Sequence, residues 1–326
     1  MPAQDTWARA AYPDDVTAPS TATFSLPAPD GTVLHGRSWL PAGPPRAVVQ
    51  LAHGMVEHLG RYDHLGRRLA AEGYAVLGAD HRGHGATGDG PGSLAHLADE
   101  GGFARAVDDL LVVTGHAQAE HPGAPVVLLG HSMGSFLARA YAARHGDRLA
   151  ALVLSGTAGH PGAIGRVGLA LAELEVRLRG PRVRSRMMEA LVLGPNNRPF
   201  RPNRTDFDWL SRDTARVDAY VADALCGGHG TAAFYRDLLT GLLWVSEPAV
   251  AARVPADLPV LVVSGEVDPV GGAPAVAEVA GLLRAGGVRD VTERVWPDAR
   301  HEVFNETDRD EVLDDVVGWL DAHLPR

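Results

Sequence analysis

The chain has 326 residues, a formal net charge of −10 and 30 basic side chains, all of them arginine. The acidic balance disfavours a general nucleic-acid binder, which needs a basic surplus to neutralise phosphates. The absence of lysine excludes Schiff-base enzymes and phosphate loops of the Gly-Lys-Ser/Thr type. The single Cys226 cannot form an intrachain disulfide, and no apolar run approaches the ~18 residues of a membrane span, so we expect a cytoplasmic protein without a transmembrane segment.

Short β-branched and leucine-rich runs alternate with longer helical patterns over most of the chain. This alternation is typical of a mostly parallel sheet with helices on both faces. The predicted strands are residues 21–26, 33–40, 47–52, 75–79, 126–130, 150–155, 260–264 and 291–296. The first two are joined across a turn rich in proline and glycine, which predicts an antiparallel hairpin.

The strand pattern stops after the sixth strand and resumes before the seventh. In between, apolar residues recur at helical spacing in two stripes, and we expect both stripes to pack against the rest of the protein: Val167, Leu171, Leu174 and Leu178, then Phe234, Leu238 and Leu242. An all-helical segment between two core strands predicts a cap. The predicted division is an N-terminal extension (1–20), a core (21–159 and 249–326) and a helical cap (160–248).

The segment 125–135, PVVLLGHSMGS, combines a buried strand, a Gly-x-Ser-x-Gly turn and the start of a helix. Such a turn forces its central residue into a strained conformation with the side chain exposed at the carboxyl edge of the sheet. Ser132 is therefore the candidate nucleophile, and the alternative is a serine that caps the helix.

A serine hydroxyl needs an imidazole to take its proton and a carboxylate to orient that imidazole. On this kind of sheet the acid and then the histidine follow the serine along the chain, each just after a strand. His301 follows the last predicted strand and is the candidate base. Asp268 follows the seventh strand and is the candidate acid, with Glu266 and Asp298 as competitors.

The third predicted strand ends in His53, Gly54 and Met55. A glycine at this point lets the backbone approach a substrate, so the next N–H can point into the site. The backbone N–H groups of Met55 and Met133 together would supply two donors to a tetrahedral oxyanion. The alternative is a tight turn with no role in binding.

These residues resemble the α/β-hydrolase superfamily and, within it, the monoacylglycerol lipase and lysophospholipase branch, which is also described as serine-aminopeptidase-like. The resemblance rests on these stretches: HGMVEH (53–58) with Arg61 and Tyr62, DHRGHG (80–85), GHSMGS (130–135), SGEVDPVGG (264–272) and ARHEVFNE (299–306). It implies an eight-stranded, mostly parallel sheet flanked by helices, with a helical cap inserted after strand 6. It also implies a Ser132, Asp268 and His301 triad.

The expected reaction is ester hydrolysis through an acyl-enzyme, acting on monoacylglycerols, lysophospholipids or other single-chain acyl esters. It needs no cofactor and no metal, and no Cys/His cluster has metal-ligand spacing. The predicted substrate pocket comprises His53, Gly54, His131, Leu171 and Leu174. Serine peptidase or amidase activity and a non-catalytic binding role on a hydrolase scaffold are the alternatives.

The predicted cap is the most basic part of the chain, with 12 arginines against 10 acidic residues. Five arginines follow the first stripe closely: Arg177, Arg179, Arg182, Arg184 and Arg186. An apolar helix face beside arginines predicts transient contact with a lipid surface. The alternative is a solvated face whose arginines balance nearby glutamates.

Overall fold

The computed structural model describes residues 19–88 and 95–324. Most of the predicted N-terminal extension, residues 1–18, therefore lies outside the described residues. The described part contains eight strands in one sheet: β1 (Ser20–Pro27), β2 (Val33–Leu40), β3 (Val48–Ala52), β4 (Ala75–Ala79), β5 (Val126–His131), β6 (Ala151–Ser155), β7 (Val260–Gly265) and β8 (Val291–Trp296). All eight predicted strands are confirmed, with ends that agree within one residue.

The strand order is β1-β2-β4-β3-β5-β6-β7-β8. β1 pairs with β2 in the predicted antiparallel hairpin, β2 runs antiparallel to β4, and the remaining pairs are parallel. Strands β3, β5, β6 and β7 are buried along their whole length. Their continuous apolar runs fit the centre of a parallel sheet that is covered on both faces.

Ten α-helices lie in the described ranges: α1 (Asp63–Ala71), α2 (Gly102–Glu120), α3 (Met133–His145), α4 (Gly162–Arg179), α5 (Arg186–Val192), α6 (Thr214–Ala222), α7 (Ala232–Val245), α8 (Pro248–Ala251), α9 (Gly272–Ala285) and α10 (Arg309–His323). Side chains of α1 and α10 pack on one face of the sheet, while those of α2, α3 and α9 pack on the other. None of these helices is both long and apolar enough to cross a bilayer.

Helices α4 to α8 lie between β6 and β7, where the strand pattern stops. The second stripe, on α7, is buried as predicted. The prediction that the first stripe packs is wrong for Val167, Leu174 and Leu178, which are 59%, 50% and 75% exposed. The buried face of α4 consists instead of Gly165, Gly168, Ala172 and Glu175, and these mostly small residues let α4 pack closely against α7.

Candidate active site

Ser132 lies in the turn between β5 and α3 with φ 52° and ψ −121°. A non-glycine residue at positive φ is strained, as the Gly-x-Ser-x-Gly pattern predicts. The glycines on either side of Ser132, Gly130 and Gly134, have backbone atoms packed so closely against them that a Cβ would not fit. A Cβ on Gly134 would lie 2.0 Å from the Ala52 carbonyl oxygen, and one on Gly130 would lie 2.4 Å from the Gly134 carbonyl oxygen.

Asp268 and His301 form a buried pair at the carboxyl ends of β7 and β8. His301 Nδ1 lies 3.0 Å from both carboxylate oxygens of Asp268. The same carboxylate accepts the Ser264 hydroxyl at 2.9 Å and the Val270 N–H at 2.8 Å. Because Nδ1 donates its hydrogen to Asp268, the other ring nitrogen, Nε2, is left to accept a proton.

The pKa values of this pair move apart. Burial disfavours the charged form of each group. For Asp268, the charge and hydrogen bond of His301 outweigh burial and lower the pKa of the carboxyl. For His301, the Asp268 carboxylate outweighs burial and raises the pKa of the imidazole, with smaller contributions from Glu302 and Glu57.

The competing acids lie outside this pair. Glu266 and Asp298 are both exposed, and the Asp298 N–H donates to the Glu266 carboxylate at 3.2 Å. Neither makes a hydrogen bond to His301 in the described part of the chain. His131 packs against the His301 ring, with 4.7 Å between ring centroids. Burial, followed by the His301 charge, lowers the pKa of His131 to about 4, so this second imidazole is neutral at pH 7.

A cavity of about 580 Å³ opens over the predicted nucleophile, and both Ser132 and His301 line it. The Ser132 hydroxyl has no hydrogen-bond partner among the described residues, so it can rotate toward the imidazole when substrate binds. Part of the cavity wall is apolar and includes Phe136 on α3 and Leu238 and Leu242 on α7. The site therefore combines a hydroxyl, an oriented imidazole and an apolar chamber.

Met55 and Met133 both line this cavity. Within residues 19–88 and 95–324, neither backbone N–H is engaged in a hydrogen bond. The Gly54 N–H, one residue earlier, is already held by the Glu57 carboxylate at 2.5 Å. The arrangement thus leaves the Met55 and Met133 N–H groups available to an oxyanion.

Glu57 belongs to a buried charge network that the sequence analysis missed. Its carboxylate also accepts the Tyr62 hydroxyl at 2.7 Å and pairs with Arg61 at 2.5 Å. Arg61 in turn binds Glu302 through two hydrogen bonds of 2.5 and 2.6 Å. The network joins the loop after β3 to the loop that holds His301. The i,i+4 spacing of Glu57 and Arg61 was a visible signal, whereas Glu302 lies 241 residues from Arg61.

The predicted pocket residues divide into two groups. Gly54 and His131 line the cavity, whereas His53, Leu171 and Leu174 do not. The His53 ring turns into the interior, where its Nδ1 donates to the Gly54 carbonyl oxygen and its Nε2 accepts the His81 N–H. Leu171 packs on the main core, and Leu174 faces solvent.

One group of potential metal ligands is present in the described ranges: His58, Asp223 and Cys226, with ligand atoms within 4.8 Å of one another. The Gly60 N–H donates to His58 Nδ1, so the proton of the neutral ring is on Nε2, which donates to Asp223 at 2.9 Å. That tautomer offers a metal no free lone pair. Burial also raises the pKa of the Cys226 thiol, which disfavours the thiolate.

Comparison with known proteins identifies the family. The family model described as "Serine aminopeptidase, S33" matches residues 43–308 of the chain. The chain belongs to this family. A monoacylglycerol lipase of Mycolicibacterium smegmatis is 38% identical to this S33 protein over 291 residues, which are 88% of this chain and 92% of the relative.

Two further similar proteins are also named as ester hydrolases. A monoglyceride lipase of Homo sapiens is 34% identical over 198 residues, 60% of this chain and 57% of the relative. The crystal structure of a thermostable carboxyl esterase from Bacillus coagulans, in complex with glycerol, superposes with a TM-score of 0.86 and 27% identity over 93% of this chain and 99% of that one. This S33 family member is thus a carboxylic-ester hydrolase of the α/β-hydrolase fold, in the monoacylglycerol lipase-like branch, and the non-catalytic alternative is set aside.

Proposed function

We propose that this hydrolase cleaves esters of single acyl chains, including monoacylglycerols and lysophospholipids, through a covalent ester on Ser132. The observation that carries the proposal is that His301, held by the buried Asp268, lines the same apolar-walled cavity as Ser132. In this proposal Ser132, Asp268 and His301 are the catalytic triad. The Met55 and Met133 N–H groups form the oxyanion hole.

The proposed reaction has two halves. His301 Nε2 takes the Ser132 hydroxyl proton while the serine oxygen attacks the ester carbonyl, and the resulting oxyanion accepts the Met55 and Met133 N–H groups. The tetrahedral intermediate collapses, the bond to the alcohol breaks, and His301 returns the proton to the alcohol oxygen. His301 Nε2 then takes a proton from a water molecule as the water oxygen attacks the acyl-serine. The second tetrahedral intermediate collapses, the bond to the Ser132 oxygen breaks, and His301 returns the proton to that oxygen as the acid is released. Asp268 stabilises the imidazolium in both halves.

The cavity supports a single acyl chain as the substrate. Its volume lies within the roughly 300–1,000 Å³ range of small-molecule sites, and α3 and α7 supply the apolar wall that an acyl chain needs. The names of the bacterial and human relatives point to monoacylglycerols.

Amide hydrolysis is the second candidate, because the family description names an aminopeptidase. An aminopeptidase needs an acidic group for the substrate amine. Three carboxylates line this cavity. Glu57 and Glu302 are both paired with Arg61, and Glu278 accepts the His160 N–H at 2.7 Å. The relatives are named as lipases that act on monoacylglycerols. Ester hydrolysis is therefore the better-supported activity.

A substrate panel tests the proposal. Initial rates are compared for p-nitrophenyl esters, monoacylglycerols and lysophospholipids of graded chain length, with aminoacyl p-nitroanilides alongside. The proposal predicts turnover of the esters and at most trace cleavage of the anilides. Faster cleavage of the anilides than of every ester would overturn it.

We also propose that residues 160–248 act as a cap, that 21–159 and 249–326 form the catalytic core, and that the protein works in the cytoplasm. The cap proposal is supported by the position of α4 to α7 between β6 and β7 and by their contribution to the cavity lining. The single cysteine supports the choice of compartment.

The cap is further proposed to touch a lipid surface through an apolar stripe on α4. Ile164, Val167, Leu174 and Leu178 are all at least half exposed, and Ile164 also lines the cavity, so the stripe leads to the cavity mouth. Of the arginines after the stripe, Arg179 pairs with Glu175 and Arg182 with Asp99. The exposed arginines of α4 without an ion pair in the described ranges are Arg166 and Arg177.

The double variant Leu174→Ser/Leu178→Ser tests the lipid contact, because neither leucine lines the cavity. In the proposed contact both leucines become buried in lipid, where a fully buried leucine contributes about 1.5–3 kcal/mol, so their loss should weaken binding to phosphatidylglycerol vesicles by at least about tenfold. Hydrolysis of a water-soluble ester should be retained. Val33→Ser, at an exposed position on β2, is the control. Equal vesicle binding by both variants and the unmodified protein would contradict the proposal.

A further inference from the structure

The cavity is built from two separate hydrophobic clusters. Its apolar wall on α3 and α7 belongs to the main core, which includes Phe136, Leu238 and Leu242. The other side is a small cluster centred on Trp209, Leu210 and Tyr220, within the predicted cap. The two sides therefore offer different surroundings to the two halves of an ester.

The small cluster lies on the side of His301. The Trp209 ring is 5.0 Å from the imidazole, centroid to centroid, and the Leu210 carbonyl oxygen accepts the Glu302 N–H at 2.8 Å. In ester cleavage the imidazole must protonate the departing alcohol oxygen, so the alcohol has to lie next to His301. The alcohol half of the substrate is thus expected against the small cluster, and the acyl half against α3 and α7.

Asn196 lines the cavity on this side. The side-chain oxygen of the next residue, Asn197, accepts the backbone N–H of Trp209 at 3.0 Å. This hydrogen bond fixes the turn to the small cluster. Asn196 as a whole residue is only 8% exposed, yet its side-chain amide has no hydrogen-bond partner among the described residues. The amide nitrogen and oxygen keep some accessible surface, so a ligand or a water molecule in the cavity can satisfy them.

The other buried polar groups at this end of the cavity are already engaged. The Tyr220 hydroxyl donates to the Val56 carbonyl oxygen and accepts the Gly227 N–H. The Glu57 and Glu302 carboxylates are both held by Arg61. On the alcohol side of the cavity, the Asn196 amide therefore still has both its N–H donor and its carbonyl acceptor available.

We propose that Asn196 recognises a free hydroxyl of the leaving alcohol, so that the site prefers esters of polyols such as glycerol over esters of simple alcohols. The amide can donate to one hydroxyl oxygen and accept from a hydroxyl hydrogen. This inference rests on the proposed function, because it assigns the alcohol half of the same site.

The test compares kcat/KM for 1-monobutyrylglycerol and methyl butyrate, which are both water soluble, so that a lipid surface plays no part. The acyl group is the same, and only the alcohol differs. The ratio is kcat/KM for 1-monobutyrylglycerol divided by kcat/KM for methyl butyrate. Asn196→Leu should lower this ratio about tenfold, which is the effect of losing one hydrogen bond to a buried group. Asn196→Ala makes room for a water molecule and should lower the same ratio about threefold. This variant provides the test if the leucine variant does not fold.

Two matched variants complete the experiment. Glu173→Leu places a leucine at an exposed position of α4, away from the Asn196 turn, and should leave the ratio unaltered. Leu242→Ala alters the acyl wall and should lower both values by a similar factor. An unchanged ratio in both Asn196 variants would overturn the inference while leaving the proposed function intact. Failure of the unmodified protein to hydrolyse either ester would instead count against the proposed function.

Discussion

The Glu57 carboxylate accepts the Gly54 N–H at 2.5 Å, one residue before the proposed oxyanion donor Met55. The bond fixes the direction of the loop after β3, and the same carboxylate is anchored by Tyr62 and Arg61. A catalytic donor must point at the developing charge before the reaction starts. The buried network therefore orders the backbone that carries the proposed oxyanion donor Met55.

Glu57→Ala removes the group that holds this loop. We expect kcat to fall about 10²-fold with a smaller change in KM. The reason is that a misdirected N–H donor stabilises the transition state less, while binding of the ground-state ester changes little. The measurement is steady-state hydrolysis of p-nitrophenyl butyrate, with thermal unfolding to verify that the variant is folded. Glu72→Ala is the control, since Glu72 forms the corresponding i,i+4 pair with Arg68 at the surface. Similar kcat values for the two variants would refute the positioning role.

Arg61→Met leaves two buried carboxylates without their cation. The free energy of unfolding at pH 7 should fall by about 3–5 kcal/mol, as expected when a buried ion pair loses one partner. The half-exposed Arg68 provides a matched change, and Arg68→Met should cost about 1 kcal/mol or less. Urea unfolding of both variants measures the difference. Equal losses would show that burial of the network does not matter.

The pH dependence follows from the raised pKa of His301. The imidazole must be neutral to accept the serine proton, so activity should be lost as pH falls through a pKa above the ordinary ~6.5 of histidine. The Glu302 carboxylate contributes to that increase. Glu302→Gln should therefore move the acid limb of kcat/KM to lower pH, whereas Glu311→Gln, at an exposed position on α10, should leave it in place. A shift to higher pH would contradict the electrostatic account.

Gly134→Ala tests the packing of the serine turn. The added Cβ would lie 2.0 Å from the Ala52 carbonyl oxygen, so the backbone must shift at a cost of about 1–3 kcal/mol. Gly115→Ala places the same methyl group in α2, where nothing lies within 4 Å. That change should stabilise the helix by about 0.5–1 kcal/mol. Thermal unfolding distinguishes the two, and stabilisation by both would contradict the packing argument.

The strands and the order of the site residues were accessible from the sequence because they depend on local patterns. Continuous apolar runs mark β3 and β5, and a Gly-x-Ser-x-Gly turn marks Ser132. The site position of Asp268 and His301 follows from their place after parallel strands, whose carboxyl ends share one edge of the sheet.

What the sequence could not provide are relationships between distant residues and the identity of the buried face. The spacing of Val167, Leu174 and Leu178 indicates a helix with an apolar stripe, but it does not say what covers that stripe. The pairing of Arg61 with Glu302 spans 241 residues. Asn196 lies in a loop without periodicity, so only the cavity marks it as unusual.

The central claim, a covalent ester on Ser132, is tested most directly by mass spectrometry after incubation with a fluorophosphonate probe. We predict one adduct per chain, located on the peptide that contains Ser132, together with complete loss of ester hydrolysis. Ser132→Ala should take up no probe and show no turnover above background. Probe attached to another residue, or full hydrolysis by Ser132→Ala, would contradict the account.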